Sequence, residues 1–183
     1  MKHLFLKYSW LPFLVLFSAC NEEPVYPPEP QIEFNSIRSE IVTDDNANKV
    51  SRIFVGLNFK DGDGNLGLSD DDIAKMPYND PQDPKKQSNY FIKAYYNNNG
   101  EYVLYPELVL QNGYRYPRLN PNNDAQSLEG ELRFYFDIQT SLIPLKFPNY
   151  RSGDLFRFEI FILDRDFNAS NTITTEPVAV FKP

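Results

Sequence analysis

Short stretches of alternating apolar and polar residues dominate this chain. The clearest is residues 50–60, where one face carries Ile53, Val55, Leu57 and Phe59. Alternation with a period of two is the pattern of a strand with one buried face. Residues 131–138 and 154–163 repeat it, and no segment sustains an apolar 3.6-residue period for more than two turns. The pattern therefore predicts an all-β domain.

Seven segments in the chain have strand character and are separated by turn residues. They are residues 31–42, 50–60, 89–96, 101–105, 131–138, 154–163 and 177–181. Strands of this number and length predict an immunoglobulin-like or fibronectin III-like β-sandwich of about seven strands. If the strands are lettered A, B, C, C′, E, F and G, the B–C loop is long, and the B–C and F–G loops lie at the same pole.

The long B–C connection, residues 61–88, has few signs of regular structure. Ser69 followed by three aspartates predicts the cap and first turn of a short helix that ends before Pro77. Three prolines, Pro77, Pro81 and Pro84, are expected to hold the rest of the loop open. Residues 112–126 are rich in proline and asparagine and are also predicted to be loop.

The N-terminus has the three parts of an export signal. A basic start is followed by an apolar core at residues 10–17 and by small residues before Cys20. The apolar run is far shorter than the roughly 20 residues that span a bilayer as a helix. Cys20 is the only cysteine and forms no internal disulfide, so an ordinary signal peptide with an unpaired cysteine nearby is one interpretation.

The sequence FSAC at this cysteine resembles the lipobox of bacterial lipoproteins, although Phe17 stands where leucine is usual. The resemblance implies that Cys20 is lipidated and becomes the first mature residue. Residues 1–19 are then the lipoprotein signal peptide, 20–30 the lipidated cysteine with a proline-rich linker, and 31–183 a single β-sandwich domain. The prolines of 24–30 predict an extended, stiff stalk.

Acidic residues directly after the cysteine, in Asn21-Glu22-Glu23, resemble the surface-export signal of Bacteroidota lipoproteins. The alternative is that they simply begin a solvated linker. The resemblance implies a protein held in the outer membrane by its lipid anchor, at the cell surface. The membrane is then one partner of the chain.

Cleavage before Cys20 changes the charge and the available chemistry. It removes two lysines and no acid, so 16 of 18 basic residues remain against 25 acidic ones, a net charge of minus 9. Nucleic acid is a poor partner for such a chain. The only histidine, His3, is lost as well, which excludes histidine-dependent triads and histidine or cysteine zinc sites in the mature protein.

Two acidic segments follow predicted strands and suggest a metal site. Asp61, Asp63 and Asn65 come after strand B, and Asp164 and Asp166 come after strand F. Calcium takes six to eight oxygen ligands, and carboxylates at alternate loop positions can converge on one ion. The sequence thus predicts a calcium site if the two loops meet. The alternative is purely structural: a turn and a capped loop whose charge Arg165 neutralises.

The pair FKDGDGNLGL and DRDFNASN looks like a signature of small Bacteroidota lipoproteins that carry a DGDG-type loop and a C-terminal DR-x-x-N-x-SN segment on an immunoglobulin-like sandwich. The resemblance implies fold and location. It implies no activity.

The sequence favours a non-enzymatic binding or structural module of the cell envelope, with calcium stabilisation expected only if the two acidic loops share an ion. One alternative is a surface glycan-binding module that uses exposed tyrosines; its candidates are Tyr95, Tyr96, Tyr102, Tyr105, Tyr114 and Tyr116. A carboxylate-based glycoside hydrolase is less favoured, since it needs two carboxylates about 5 to 9 Å apart across a cleft. An envelope protein or a glycan is the expected partner, and the sequence assigns no ligand-binding residues.

Overall fold

The computed structural model describes residues 25–44, 47–105, 114–122, 124–138, 140–141 and 143–181. The predicted signal peptide, the predicted lipidation site Cys20 and the first residues of the predicted linker lie outside these residues. The strands are β1 (Gln31–Thr43), β2 (Lys49–Asp61), β3 (Tyr90–Asn98), β4 (Glu101–Tyr105), β5 (Leu128–Ile138), β6 (Asp154–Ile162), β7 (Ile173–Thr174) and β8 (Val178–Val180). The helices are α1 (Asp70–Ile73) and α2 (Ile143–Lys146), with a 3₁₀ turn at Pro84–Gln87.

The strands form two antiparallel sheets, which confirms the predicted all-β sandwich. One sheet has the order β1-β2-β5, and the other has the order β4-β3-β6-β7 with β8 also paired to β6. In the predicted lettering these are A-B-E and C′-C-F-G. The predicted strand G, residues 177–181, corresponds to β8, and the short strand β7 before it was not predicted. Pro177 stands before β8, where its lack of an N–H breaks no ladder bond.

The core lies between the inner faces of the sheets and follows the alternation of the sequence. Every second residue of β6 is fully buried; these are Phe156, Phe158, Ile160 and Ile162. Phe136 of β5 meets Phe158 edge-on across the gap, with ring centroids 5.0 Å apart. Burying a side chain of this size contributes about 1.5–3 kcal/mol. The apolar faces therefore hold the two sheets in a fixed stack.

This stack brings the ends of β2 and β6 to the same pole. Leu66, just beyond β2, forms an isolated antiparallel bridge with Asp164, just beyond β6. At the other pole, Tyr96 pairs with Phe156 beside the hairpin turn at Asn99. The first pole is called the acidic pole below, because the predicted ligands lie there. The second is called the distal pole.

Part of the B–C loop, at Tyr78, folds back onto the acidic pole, whereas its prolines had predicted an open segment. Ser69 caps α1 as predicted, in a capping box with Asp72. Past the helix, the Tyr78 hydroxyl donates to the Arg165 carbonyl at 2.5 Å, and its ring packs on Phe167. A loop can pack against the domain when its buried polar groups find hydrogen-bond partners there, as the Tyr78 hydroxyl does.

The linker also differs from a free stalk. Pro30 is buried, and the Pro27 carbonyl accepts a hydrogen bond from the Gly62 N–H at 2.9 Å. The stiff segment thus lies along the acidic pole from Tyr26 onward. None of the helices in the described residues has the length and apolarity needed to cross a membrane.

Candidate functional site: the acidic loop junction

The two acidic loops are joined by backbone and side-chain contacts. Next to the Leu66–Asp164 bridge, the Arg165 N–H donates to the Asn65 carbonyl at 3.2 Å. The Arg165 guanidinium donates to the carbonyls of Leu66 at 3.3 Å and Gly67 at 3.4 Å. These contacts hold Asn65 and Asp164, one predicted ligand from each loop, side by side.

Three carboxylates surround the side-chain nitrogen of Asn65. Its Nδ2 lies 3.1 Å from Asp63 Oδ2, 3.3 Å from Asp164 Oδ2 and 2.9 Å from Asp166 Oδ2. A primary amide has only two hydrogens to donate. Three anionic acceptors therefore converge on a donor that can satisfy two of them. The centre of this triangle is a position that favours positive charge.

Asp61 is the fourth carboxylate of the junction and the most deeply placed. Its exposed fraction is 0%, and neither side-chain oxygen has a hydrogen-bond partner among the described residues. Burial, followed by the charges of Asp63 and Asp164, raises the pKa of Asp61 to about 7. The nearby Asn65 N–H, which donates to Asp63 Oδ1 at 3.3 Å, and the Arg165 charge offset this only in part. A buried carboxylate without partners is costly in its charged form.

Two more buried oxygens nearby lack partners in the described part of the chain: Asn65 Oδ1 and the Tyr116 hydroxyl. Burial, and then the charges of Asp61 and Asp164, raise the pKa of Tyr116. The Tyr116 hydroxyl is therefore buried within range of the charges of the junction. A 180° rotation of the Asn65 amide would exchange its two ends and turn Oδ1 toward the carboxylates. That arrangement is favourable only with a cation between the oxygens.

The structural interpretation explains part of the cluster. Asp164 Oδ1 accepts from the N–H groups of Asp166 at 2.9 Å and Asn168 at 2.7 Å, and its Oδ2 accepts from Asn168 Nδ2 at 2.8 Å. An aspartate that bonds the backbone of its own loop is a common turn device. Asp164 therefore needs no metal. Asp61 has no such role.

The geometry fits a hard cation only after a local rearrangement. Among the described residues, no group of three or more histidine, cysteine, aspartate and glutamate side chains is placed to hold a metal ion as it stands. The three carboxylate oxygens lie 2.9–3.3 Å from Asn65 Nδ2, which occupies the centre of the group. Calcium–oxygen distances are about 2.3–2.6 Å, so rotation of the amide alone makes no room for an ion, and the amide and the carboxylates would have to rearrange around it. Asp166 is exposed, which gives an ion access from solvent.

The glycines of the first loop allow close packing against other segments. Gly67 has a φ of 89°, and a Cβ there would lie 2.1 Å from the Pro117 carbonyl oxygen. One residue further along that segment, Arg118 forms a bidentate ion pair with Asp72 of α1. The ion pair holds the pKa of Asp72 well below its usual range. Segment 114–122 thus locks α1 beside the junction.

The sequence did not assign four residues to this site: Tyr78, Tyr116, Arg118 and Gly62. Tyr78, Arg118 and Gly62 lie in loop segments without periodicity. Tyr116 was a candidate only for glycan binding, and its alternation with Tyr114 could not indicate that its hydroxyl is buried within reach of the Asp61 and Asp164 charges. Comparison of the chain with family models, curated proteins and solved structures gave no match. Fold and site together define a β-sandwich with a buried acidic loop junction.

The distal pole carries an open cleft of about 880 Å³. It lies between the Asn97–Asn99 turn and the segment that enters β6, and its side chains include three asparagines, two tyrosines, Arg151 and Asp154. Asp154 accepts from the Tyr96 hydroxyl at 2.9 Å and from the Arg151 N–H at 2.8 Å. It is the only carboxylate among the described lining residues.

Proposed function

We propose that this protein is a lipid-anchored, non-enzymatic binding or structural module of the cell envelope whose sandwich is stabilised by calcium at the acidic loop junction. The main support for calcium is Asp61, whose carboxylate is fully buried without a hydrogen-bond partner among the described residues. The other three carboxylates of the junction converge on the Asn65 side-chain nitrogen. Without a cation, little in this arrangement offsets the negative charge of the four carboxylates. A bound cation would neutralise part of it.

Electrostatics supports the choice of a divalent ion. The oxygens of Asp63 and Asp164 are each within 3.3 Å of Asn65 Nδ2, so they lie no more than about 6.4 Å apart. Two such charges repel by roughly 3 kcal/mol at an effective dielectric of 20. Asp61 and Asp166 add further repulsive pairs. The ligands are all oxygen, which suits calcium.

The anchor and location rest on the sequence. Cys20 in its lipobox-like context supports lipidation, and the acidic residues after it support the outer membrane and cell surface. Two or three acyl chains give stable attachment, at about 0.8 kcal/mol per buried CH₂ group. The absence of histidine after residue 19 supports a non-enzymatic role.

The calcium proposal is tested by thermal unfolding and titration calorimetry of the purified protein. Added calcium is expected to raise the Tm of chelator-treated protein, and Asp63→Asn and Asp166→Asn are expected to weaken binding at least roughly tenfold. Glu101→Gln is the matched control, because Glu101 is an exposed carboxylate at the distal pole. A wild-type Tm that ignores both chelator and calcium rejects the metal.

The anchor is tested by Cys20→Ser. The wild-type protein is expected to fractionate with membranes and to carry acyl chains detectable by mass spectrometry, whereas the variant is expected to lose both. Protease treatment of whole cells then tests surface exposure. An unmodified Cys20 in the mature wild-type protein rejects lipidation.

Glycan binding remains the alternative prediction. Of its six tyrosine candidates, Tyr96, Tyr105 and Tyr116 are buried in the core, and the other three are half-buried. No specific observation therefore favours those rings as a sugar platform. Retention on immobilised polysaccharide that survives chelator would support this alternative.

A further inference from the structure

The linker is bound to the acidic loop at a residue that has no side chain. Gly62 donates its N–H to the Pro27 carbonyl at 2.9 Å. A Cβ on Gly62 would lie 2.2 Å from the Tyr26 carbonyl oxygen and 2.5 Å from that of Pro27. The backbones are therefore in direct contact, and only glycine permits this contact.

Two side-chain contacts add to this attachment. The Tyr26 hydroxyl donates to Glu129 at 2.5 Å, and the Lys60 ammonium lies 5.4 Å from the centre of the Tyr26 ring. Both partners belong to the ends of the strands that flank the loop, β2 and β5. The Tyr26–Pro27 unit therefore has a defined binding place on the domain, called the linker dock below. The dock consists of Lys60, Gly62 and Glu129.

The linker dock and the candidate metal site share one stretch of backbone. Gly62 lies between Asp61 and Asp63, two of the proposed ligands. An ion bound to both carboxylates would restrict the peptide units on either side of Gly62. Without the ion, repulsion within the cluster acts on the same peptide units. The two sites are thus joined by a single residue.

We propose that cation binding at the loop junction controls the docking of the Tyr26–Pro27 segment, and so the reach of the domain from its anchor. This inference rests on the proposed calcium site and on lipidation of Cys20. With the ion bound, the linker stays docked and the acidic pole faces the membrane. Without it, the linker is released.

The change in reach follows from chain length. Six peptide links separate Cys20 from Tyr26, so a docked linker keeps the acidic pole within about 20 Å of the lipid attachment. If the segment is released up to Gln31, eleven links are free, and the limit rises to about 35–40 Å. Release therefore roughly doubles the distance that the acidic pole can move from the lipid attachment, and the distal pole gains about 15–20 Å of reach.

Thermodynamic linkage allows two tests: the effect of calcium on docking, and the effect of docking on calcium binding. If calcium tightens docking, docking must tighten calcium binding by the same factor. Gly62→Ala is suited to this test, because its Cβ would collide with the linker while the carboxylates stay in place. Gly62 also does not have the positive φ found at Gly64 and Gly67, so alanine adds no backbone strain of that kind.

The experiment uses the full lipidated protein in phosphatidylcholine vesicles, with calcium as the probe. Hydrogen exchange of residues 21–30 and of the Gly62 amide is measured in calcium and in chelator. Chelator is expected to speed exchange in the wild type, and Gly62→Ala is expected to weaken calcium binding roughly tenfold. Tyr26→Ala is the second variant, since it removes the contacts of the half-buried Tyr26 ring and hydroxyl while leaving the core intact. Ser127→Ala is the control, because it removes a hydrogen bond to the Gly62 carbonyl and keeps the three contacts of the linker dock.

The outcomes separate the two proposals. If the wild type binds no calcium, the proposed metal site fails. If calcium binds but linker exchange is the same with and without it, and Gly62→Ala and Tyr26→Ala bind calcium as the wild type does, the metal site stands and the coupling is rejected.

Discussion

Leu66 and Asp164 form an antiparallel bridge between two loops that are far apart in the chain. The bridge places Asn65 next to the Asp164 carboxylate, with 3.3 Å between Asn65 Nδ2 and Asp164 Oδ2. The acidic segments are therefore parts of one junction. We therefore expect the stability of the junction to depend on its charge.

Replacing Asp61 by asparagine is expected to have opposite effects with and without calcium. In chelator at about pH 8, Asp61→Asn removes a buried, partnerless charge and should raise the free energy of unfolding by about 1–2 kcal/mol, since an unpaired amide costs less than an unpaired charge. The variant should also lose the stabilisation by calcium. Urea unfolding in chelator and in calcium measures both effects. A variant that is less stable than the wild type in chelator contradicts this account of Asp61.

The metal-free protein is expected to lose stability as pH rises from about 4 to 7. The folded pKa of Asp61 is raised to about 7, whereas the ordinary value is 3.8. The folded state therefore binds the extra proton in this window. Its stabilising contribution is complete below the unfolded pKa and is lost as pH rises through the folded one. The expected loss is about 2–4 kcal/mol, at about 1.4 kcal/mol per pKa unit.

Thermal melts in chelator between about pH 5 and 8 check this slope. The ion pair with Arg118 lowers the pKa of Asp72, so that residue contributes stability already complete above pH 4 and does not mask the effect. Asp61→Asn should remove most of the slope, and saturating calcium should reduce it. Burial also raises the pKa of Asp63, so Asp63 contributes a smaller slope of the same sign. If the dependence of Tm on pH is unchanged in Asp61→Asn, other groups cause it.

Gly67→Ala is expected to cost more than about 3 kcal/mol, because strain and collision add. The φ of 89° costs about 1–2 kcal/mol for a residue with a Cβ, and that Cβ would also lie 2.1 Å from the Pro117 oxygen. Gly100→Ala is the control: its φ is 97°, and a Cβ there meets nothing within 4 Å. Urea unfolding should show only the strain in the control. Equal losses for both variants would show that the close approach of Gly67 to Pro117 adds nothing to the cost.

Arg118→Lys is expected to lower the free energy of unfolding by about 1–2 kcal/mol, because lysine cannot form the bidentate pair that Arg118 forms with the half-buried Asp72. Arg133→Lys is the matched control. It changes a bidentate pair with Glu131 whose arginine side chain is 78% exposed, and such surface pairs contribute about 0–1 kcal/mol. Similar losses at both positions would mean that burial does not distinguish the two pairs.

Tyr116→Phe is expected to leave the metal-free stability unchanged or slightly higher, because the hydroxyl is buried without a partner in the described residues. Tyr96→Phe should cost about 1 kcal/mol, since it removes the 2.9 Å bond to Asp154. Denaturation of both variants in chelator makes the comparison. A large loss in Tyr116→Phe would show that its hydroxyl has a bonding partner in solution.

The strands were predictable because the alternation of apolar and polar residues shows which side chains of a strand are buried. Ile53, Val55 and Leu57 follow one another at a period of two, and each is almost completely buried in the structure. A strand with one inward face needs only its own sequence to show which face that is. The Ser69 cap of α1 is similarly local, because the cap and its bond lie within four residues.

The loops were less predictable, because their conformation depends on partners that are distant in the chain. The prolines of the B–C loop suggested an open segment, yet the Tyr78 hydroxyl reaches the Arg165 carbonyl. The proline-rich linker suggested a stalk, yet its Pro27 carbonyl is bound by Gly62. Neither contact leaves a periodic trace in the sequence.

The sequence by itself determined the alternating strands, the charge of the chain and the oxygen ligands that a metal site would use. Only the tertiary structure decided that Asp61 is buried without a partner while Asp166 on the other loop is exposed. The physical reason is that residue type fixes what a side chain can bind. The packing of the two sheets and the closure of the loops fix which side chains meet and how much water each one keeps.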